Sequence, residues 1–219
     1  MKRYSGWEHL LKIAELCGLD RAYTWNPCVG CRGIGCEVRR RGKCWAERMA
    51  QRFGWDFKPH AVPKRLWEPR DVRKGAVITP VSMGDLFGQE RDDIGMVLWV
   101  ITECKWHVFA LLTKLPQYAL DLSSKYPDNV WFGVTVNQQE DVWRLDALRK
   151  IEAPHKYCMF EPLYSAIKYD LSFLDLAVVG PQTQPLVQPK KEWVDSVRNG
   201  GPKKIFYKSK LFRTLSVES

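Results

Sequence analysis

From residue 75 onward the chain alternates short β-rich runs with helical patterns, and no other feature constrains its folding as strongly. The runs fall at 76–81, 107–113, 130–136, 157–160, 176–179 and 205–207, with helical patterns between them at about 91–104, 116–125, 138–150 and 190–199. The stretch 162–175 is too broken to assign. Strand, helix, strand repeated in this way predicts parallel strands with right-handed crossovers, because a helix is what returns the chain to the same sheet edge. The expected fold is α/β, an open or closed barrel of β/α units carrying an N-terminal helix and a cysteine-rich loop. At 219 residues the chain can bury a core without disulfide or metal staples.

Polar residues collect where each run ends: Ser82 and Asp85, Thr113 and Lys114, Thr135 and Asn137, Glu161, and Lys208. In parallel α/β folds these carboxyl ends open on one face, where ligands bind. The same residue types cap helices and fill turns, so the expectation attaches to the set more than to any one member.

The whole chain, 1–219, reads as one domain. Residues 1–24 hold a helix with Trp7, Leu10, Leu11, Ala14 and Leu16 on one face, closed by Gly18. Residues 25–54 form the cysteine loop and a short helix stopped at Gly54, 55–74 a basic, Pro-rich, structureless connection, and 75–219 the β/α units. The amino terminus has acids within its apolar run and lacks the pattern of a secretory signal. No segment reaches the roughly 18 apolar residues of a membrane span. A cytoplasmic protein without membrane contact is expected.

Seven cysteines occur, four of them spaced Cys28-x2-Cys31-x4-Cys36-x7-Cys44 among Gly30, Gly33, Gly35 and Gly42. In a cytosolic chain such a cluster reads as a metal site before a disulfide framework. Zinc and an iron–sulfur cluster both suit thiolates, and spacing alone leaves them open. Cys17, Cys104 and Cys158 sit in apolar runs and read as buried small hydrophobes.

The net charge of +9 is segregated: residues 1–74 carry 17 basic and 8 acidic groups, 75–189 carry 9 and 14, and 190–219 carry 8 and 3. Two basic ends can present one positive face to an anionic partner, here a nucleic acid or nucleotide. Arg39, Arg40, Arg41 and Lys43, inside the loop, suit either phosphate contact or neutralisation of thiolate charge. Of the ten tryptophans, most are expected in the core, which weakens an argument from base stacking.

The strings TWNPCVGC, GC and CWAERMA at 24–50 are followed in order by SMGDLF at 82–87, LLTKLP at 111–116, NVWFGVTVNQQ at 129–139 and FEPL at 160–163. Together they resemble a phage- and prokaryote-associated family of three-cysteine, radical S-adenosylmethionine-like proteins whose activities are largely undefined. The resemblance implies a partial barrel of radical S-adenosylmethionine type. In it Cys31, Cys36 and Cys44 would hold three irons of a 4Fe-4S cluster, and the open iron would take the cofactor. Ser82 and Asp85 would lie near the cofactor amino group and Thr135 and Asn137 near its ribose, with Lys114 and Glu161 further candidate cofactor contacts. An electron from an external donor would then cleave the sulfonium, and the 5′-deoxyadenosyl radical would abstract hydrogen from substrate.

Cys28 is a fourth candidate ligand; four thiolates would close the cluster. The expected function is therefore a radical enzyme modifying nucleic acid or a nucleotide, without an assignable catalytic residue. Its rival is a zinc or closed-cluster nucleic-acid-binding module without catalysis. A carboxylate hydrolase built on Asp85, Asp141 and Glu161 lacks any supporting motif. Whether a partner protein takes part is left open.

Overall fold

Side chains along a strand alternate between two faces, and here both faces of one sheet are buried in different ways. Its seven parallel strands are β1 (Ala22–Trp25), β2 (Val77–Pro80), β3 (Val108–Thr113), β4 (Val130–Thr135), β5 (His155–Phe160), β6 (Leu176–Val179) and β7 (Ile205–Tyr207). They neighbour one another in chain order, with Lys2–Arg3 antiparallel on the outer edge of β1. The molecule is mixed α/β, and its sheet curls into a half-barrel. This computed structural model describes residues 2–3 and 7–212.

One strand was not expected. β1 stands apart from the alternating units that begin at residue 75, and the sequence reading divides it between the helix and the cysteine loop. Pairing with β2, register Ala22↔Val77 through Trp25↔Pro80, makes it a strand.

Phe109, Leu111, Phe132, Val134, Phe160 and Val179 point to the convex face, where they pack with Ile94, Val97, Leu145, Leu148 and Val197. Those partners come from helices α4 (Arg91–Glu103), α6 (Trp143–Lys150) and α7 (Lys191–Asn199); Ala119 of α5 (Pro116–Leu122) joins them. The concave face carries Ala22, Val77, Ala110, Trp131, Tyr157 and Leu176. Helix α1 (Glu8–Leu16) fills that hollow with Leu10, Ile13 and Ala14. Small strand residues make the room: a Cβ on Gly133 would sit 2.3 Å from Cζ of Tyr157. The buried side of α1 differs from the one expected, since His9 and Ile13 are buried and Leu11 is 39% exposed.

The 55–74 connection is not structureless. His60–Ala61 pairs with Cys28–Val29, and two 3-10 turns follow at Pro63–Arg65 and Glu68–Asp71. Two indoles hold it to the barrel: Trp25 donates to the Arg65 carbonyl (2.7 Å) and Trp106 to that of Val72 (3.1 Å). Nor are most tryptophans in the core. Trp25 and Trp131 are buried, whereas Trp45, Trp55, Trp99, Trp106 and Trp143 are exposed, because indole N–H groups and wide rings are easily left at a surface.

Candidate metal and ligand site

The carboxyl ends of the strands form one mouth, and the cysteine loop is fastened across it by backbone contacts. Gly30 donates to the Met83 carbonyl (3.1 Å) and bridges to Gly84; a Cβ on Gly84 would lie 2.1 Å from the Gly30 oxygen. The glycine of SMGDLF is thus the space into which the loop before Cys31 fits. Val81 precedes it at φ 53°, a left-handed conformation that a β-branched residue adopts only under strain. Asn26 holds the turn from below, accepting from the Ser82 hydroxyl (3.1 Å) and the Met83 N–H (3.0 Å) through one oxygen.

The four loop cysteines have different surroundings. Cys28 is 2% exposed and belongs to the convex core; burial, with Asp93 nearby, pushes its thiol up to about 12. Cys31, Cys36 and Cys44 are only partly covered. Burial pushes Cys31 up to about 11, the Gly33 N–H bond to its sulfur (3.2 Å) opposes this, and the charges of Asp85, Cys36 and Cys44 add to it. Cys44 precedes α3 (Trp45–Arg52), and Cys36 precedes the single turn α2 (Glu37–Arg40). Among the described residues no three His, Cys, Asp or Glu side chains converge on a single-ion site. A zinc ion would want its sulfurs about 3.8 Å apart, twice the geometry of a 2.3 Å bond set tetrahedrally.

Arg144 is the hidden anchor of the loop. It is 1% exposed, donates to the carbonyls of Gly35 (2.8 Å) and Thr135 (2.9 Å), and lies 3.1 Å from Asp141. Burial lowers its proton affinity, and the Asp141 carboxylate opposes that shift. The segment leading to Cys36 is thereby tied to the end of β4.

The basic run divides. Arg39 donates to the Cys31 carbonyl (2.8 Å) and to Glu47 (2.8 Å), so it braces the loop from inside. Arg40 and Arg41 both pair with the buried Glu37, and Arg41 lies 4.5 Å over the Tyr164 ring. Arg39 is thus turned inward, while Arg40 and Arg41 keep exposed guanidinium groups beside their carboxylate partner. Lys43 lines a cavity at the mouth.

That cavity, about 390 Å³, lies at the mouth and is lined by Lys43, Lys114, Thr135 and Glu161 from the expected set. Glu161 pairs with Lys208 at 2.5 Å, and Gly180 leaves it room, since a Cβ there would approach its Cδ to 2.9 Å. Ser82 lines a neighbouring cavity of about 360 Å³, and Trp7 and Trp45, rings 6.3 Å apart, border both. Asp85 and Asn137 line neither. The Asp85 carboxylate accepts from the Thr113 hydroxyl (2.7 Å) and from the N–H groups of Lys114 (2.8 Å) and Phe87 (3.2 Å), joining β2 to β3. Burial raises its pKa and these donors oppose the rise. Asn137 donates to the Pro162 carbonyl (2.7 Å), joining β4 to β5. Both residues shape the mouth, and neither offers its donor or carboxylate to the cavity.

The sequence reading missed Arg144, Asn26 and His9. The last is the one polar side chain buried on the apolar side of α1, and that interruption of the apolar stripe was its only signal.

A family model described as "Protein of unknown function (DUF5131)" matches residues 20–208, which contain all seven strands and the cysteine loop but not α1. No curated protein and no solved structure matches the chain. With most of its length and every strand of its half-barrel inside that match, the chain belongs to the DUF5131 family.

Proposed function

We propose that this chain is an iron–sulfur, S-adenosylmethionine-dependent radical enzyme acting on a nucleotide or nucleic acid, with Cys31, Cys36 and Cys44 holding three irons of a 4Fe-4S cluster. The observation that carries the reading is the division of the thiols. Three lie partly covered on one loop at the mouth, while Cys28 is packed in the convex core. That division matches three ligands and an open fourth position, as the order of the sequence motifs implies.

When bound, the cluster and the sulfonium cofactor would supply one-electron reductive chemistry. The chain's own contribution is positional. Arg39 and Arg144 fix the backbone beside Cys31 and Cys36, Gly84 admits the loop, and Asp85 and Asn137 hold adjacent strand ends together. Helix α1 fills the hollow below, which keeps bulk water from the floor of the mouth.

The test is anaerobic reconstitution of single Cys→Ala variants, with iron counted and S-adenosylmethionine cleavage to 5′-deoxyadenosine measured. Cys31→Ala, Cys36→Ala and Cys44→Ala should each lose the cluster, and Cys28→Ala should keep it. Equal loss in Cys28→Ala would replace the open-iron site with a four-thiolate one. A single zinc in colourless protein, or an intact cluster that never cleaves the cofactor, would refute the enzyme.

A further inference from the structure

Helix α1, outside the residues that the family model matches, brings His9 into the wall of the mouth cavity. His9 is 1% exposed, and neither ring nitrogen has a hydrogen-bond partner. Buried polar groups are nearly always satisfied, so an imidazole in a cavity wall with both nitrogens buried and idle points to a ligand that meets one of them when the ring turns toward the cavity. Burial, helped by the Lys208 ammonium, keeps the ring neutral, with one donor and one acceptor to offer.

The charge around it is one-sided. Among the described residues Lys43, Arg48, Lys114, Lys208 and Lys210 line the cavity against one carboxylate, Glu161, which Lys208 already holds. A small concave site of this sign gathers anions. It is also a built arrangement: Glu8, beside His9, accepts from the N–H (2.7 Å) and hydroxyl (2.8 Å) of Ser209, which clamps α1 to the segment carrying Lys208 and Lys210. Trp45 lines the same cavity at 41% exposure, a flat face on which a heteroaromatic ring can stack. At about 390 Å³ the cavity has the size of a small-molecule site.

We infer that this cavity binds a nucleoside 5′-monophosphate, its phosphate on His9, Lys114, Lys208 and Lys210 and its base on Trp45. With the ring turned toward the cavity, a phosphate oxygen accepts from the imidazole N–H. The inference rests on the reading above only in taking the nucleotide as substrate; binding itself requires neither cluster nor cofactor.

Isothermal titration calorimetry on the cluster-free full chain, with AMP, GMP, CMP and UMP, a matching nucleoside and inorganic phosphate, tests it. At least one nucleotide should bind at least tenfold more tightly than its nucleoside and than phosphate alone. His9→Phe should weaken that binding at least tenfold while leaving the unfolding midpoint unchanged or higher, and the Lys114→Ala/Lys210→Ala pair should weaken it similarly. Dissociation constants above roughly 1 mM for all four nucleotides, or affinity indifferent to both variants, would overturn the proposal. So would competitive displacement by S-adenosylmethionine, which would make the cavity the cofactor's. Nucleotide binding by a protein that never assembles a cluster would uphold this site and refute the radical enzyme.

Discussion

On the convex face of the half-barrel, Phe109, Leu111, Phe132 and Phe160 meet the apolar sides of the covering helices, and buried Tyr126 donates its hydroxyl to the Ala119 carbonyl (2.9 Å). On the concave face the same strands present Ala22, Ala110 and Gly133, and one helix fills the hollow. There the buried Tyr157 hydroxyl and both His9 nitrogens have no partner. Each unsatisfied group costs about 1–3 kcal/mol. Unpartnered buried atoms occur on the covering helices too, Oε1 of Gln117 and Nε of Arg144 among them, so the faces differ more in side-chain size and in the number of helices that cover them.

The widest separation between the faces should appear in denaturant unfolding. Phe132→Ala removes a fully buried ring from the convex core and should cost about 3–5 kcal/mol. Tyr157→Phe removes only the idle hydroxyl and should leave stability unchanged or raise it by about 1 kcal/mol. A loss comparable to Phe132→Ala would erase the distinction.

Arg144→Met strikes the link between the faces and the loop. It strands the buried Asp141 and frees the Gly35 carbonyl, for a cost of about 3 kcal/mol in urea unfolding. Iron retained after reconstitution should fall in the same variant. Retained iron in a destabilised protein would show that the loop is placed by Gly30, Gly84 and Arg39 alone.

Proton linkage sharpens the contrast further. Burial, with the nearby Lys208 charge, holds His9 well below its usual 6.5, so the unfolded chain takes up a proton there that the folded chain refuses. Stability should therefore fall as pH drops below about 6.5, by at most about 1.4 kcal/mol per unit for this one site. His9→Phe should flatten that slope, measured by unfolding between pH 7 and pH 5. His107, whose affinity for a proton burial also lowers, adds to any residual slope, and Asp85, whose carboxyl burial raises, acts against it.

The smallest effect separates the arginines. Arg40, whose side chain is 75% exposed, should tolerate Gln within about 0.5 kcal/mol. Arg39→Gln removes the bond to the Cys31 carbonyl and should lower iron retention without a matching change at Arg40. Identical behaviour of the two would return the whole run to the role of a charged surface.

Along the chain alone, β2 through β7 and their crossover helices were legible because β-rich runs and apolar periodicity are local consequences of burying a strand on two faces and a helix on one. The cysteine spacing and the polar residues at strand ends could be read there too, since parallel strands send their carboxyl ends to one side. What those residues touch was not local. Whether Arg39 met phosphate or Glu47, whether Cys28 turned to the loop or the core, and whether Asp85 faced a ligand or the backbone of Lys114 depended on partners brought close by the sheet. His9 is the extreme case. It lies 199 residues from Lys208, and only the closing of the half-barrel around α1 puts them on one cavity, because charge and hydrogen bonding act over a few ångströms of space whatever the separation in sequence.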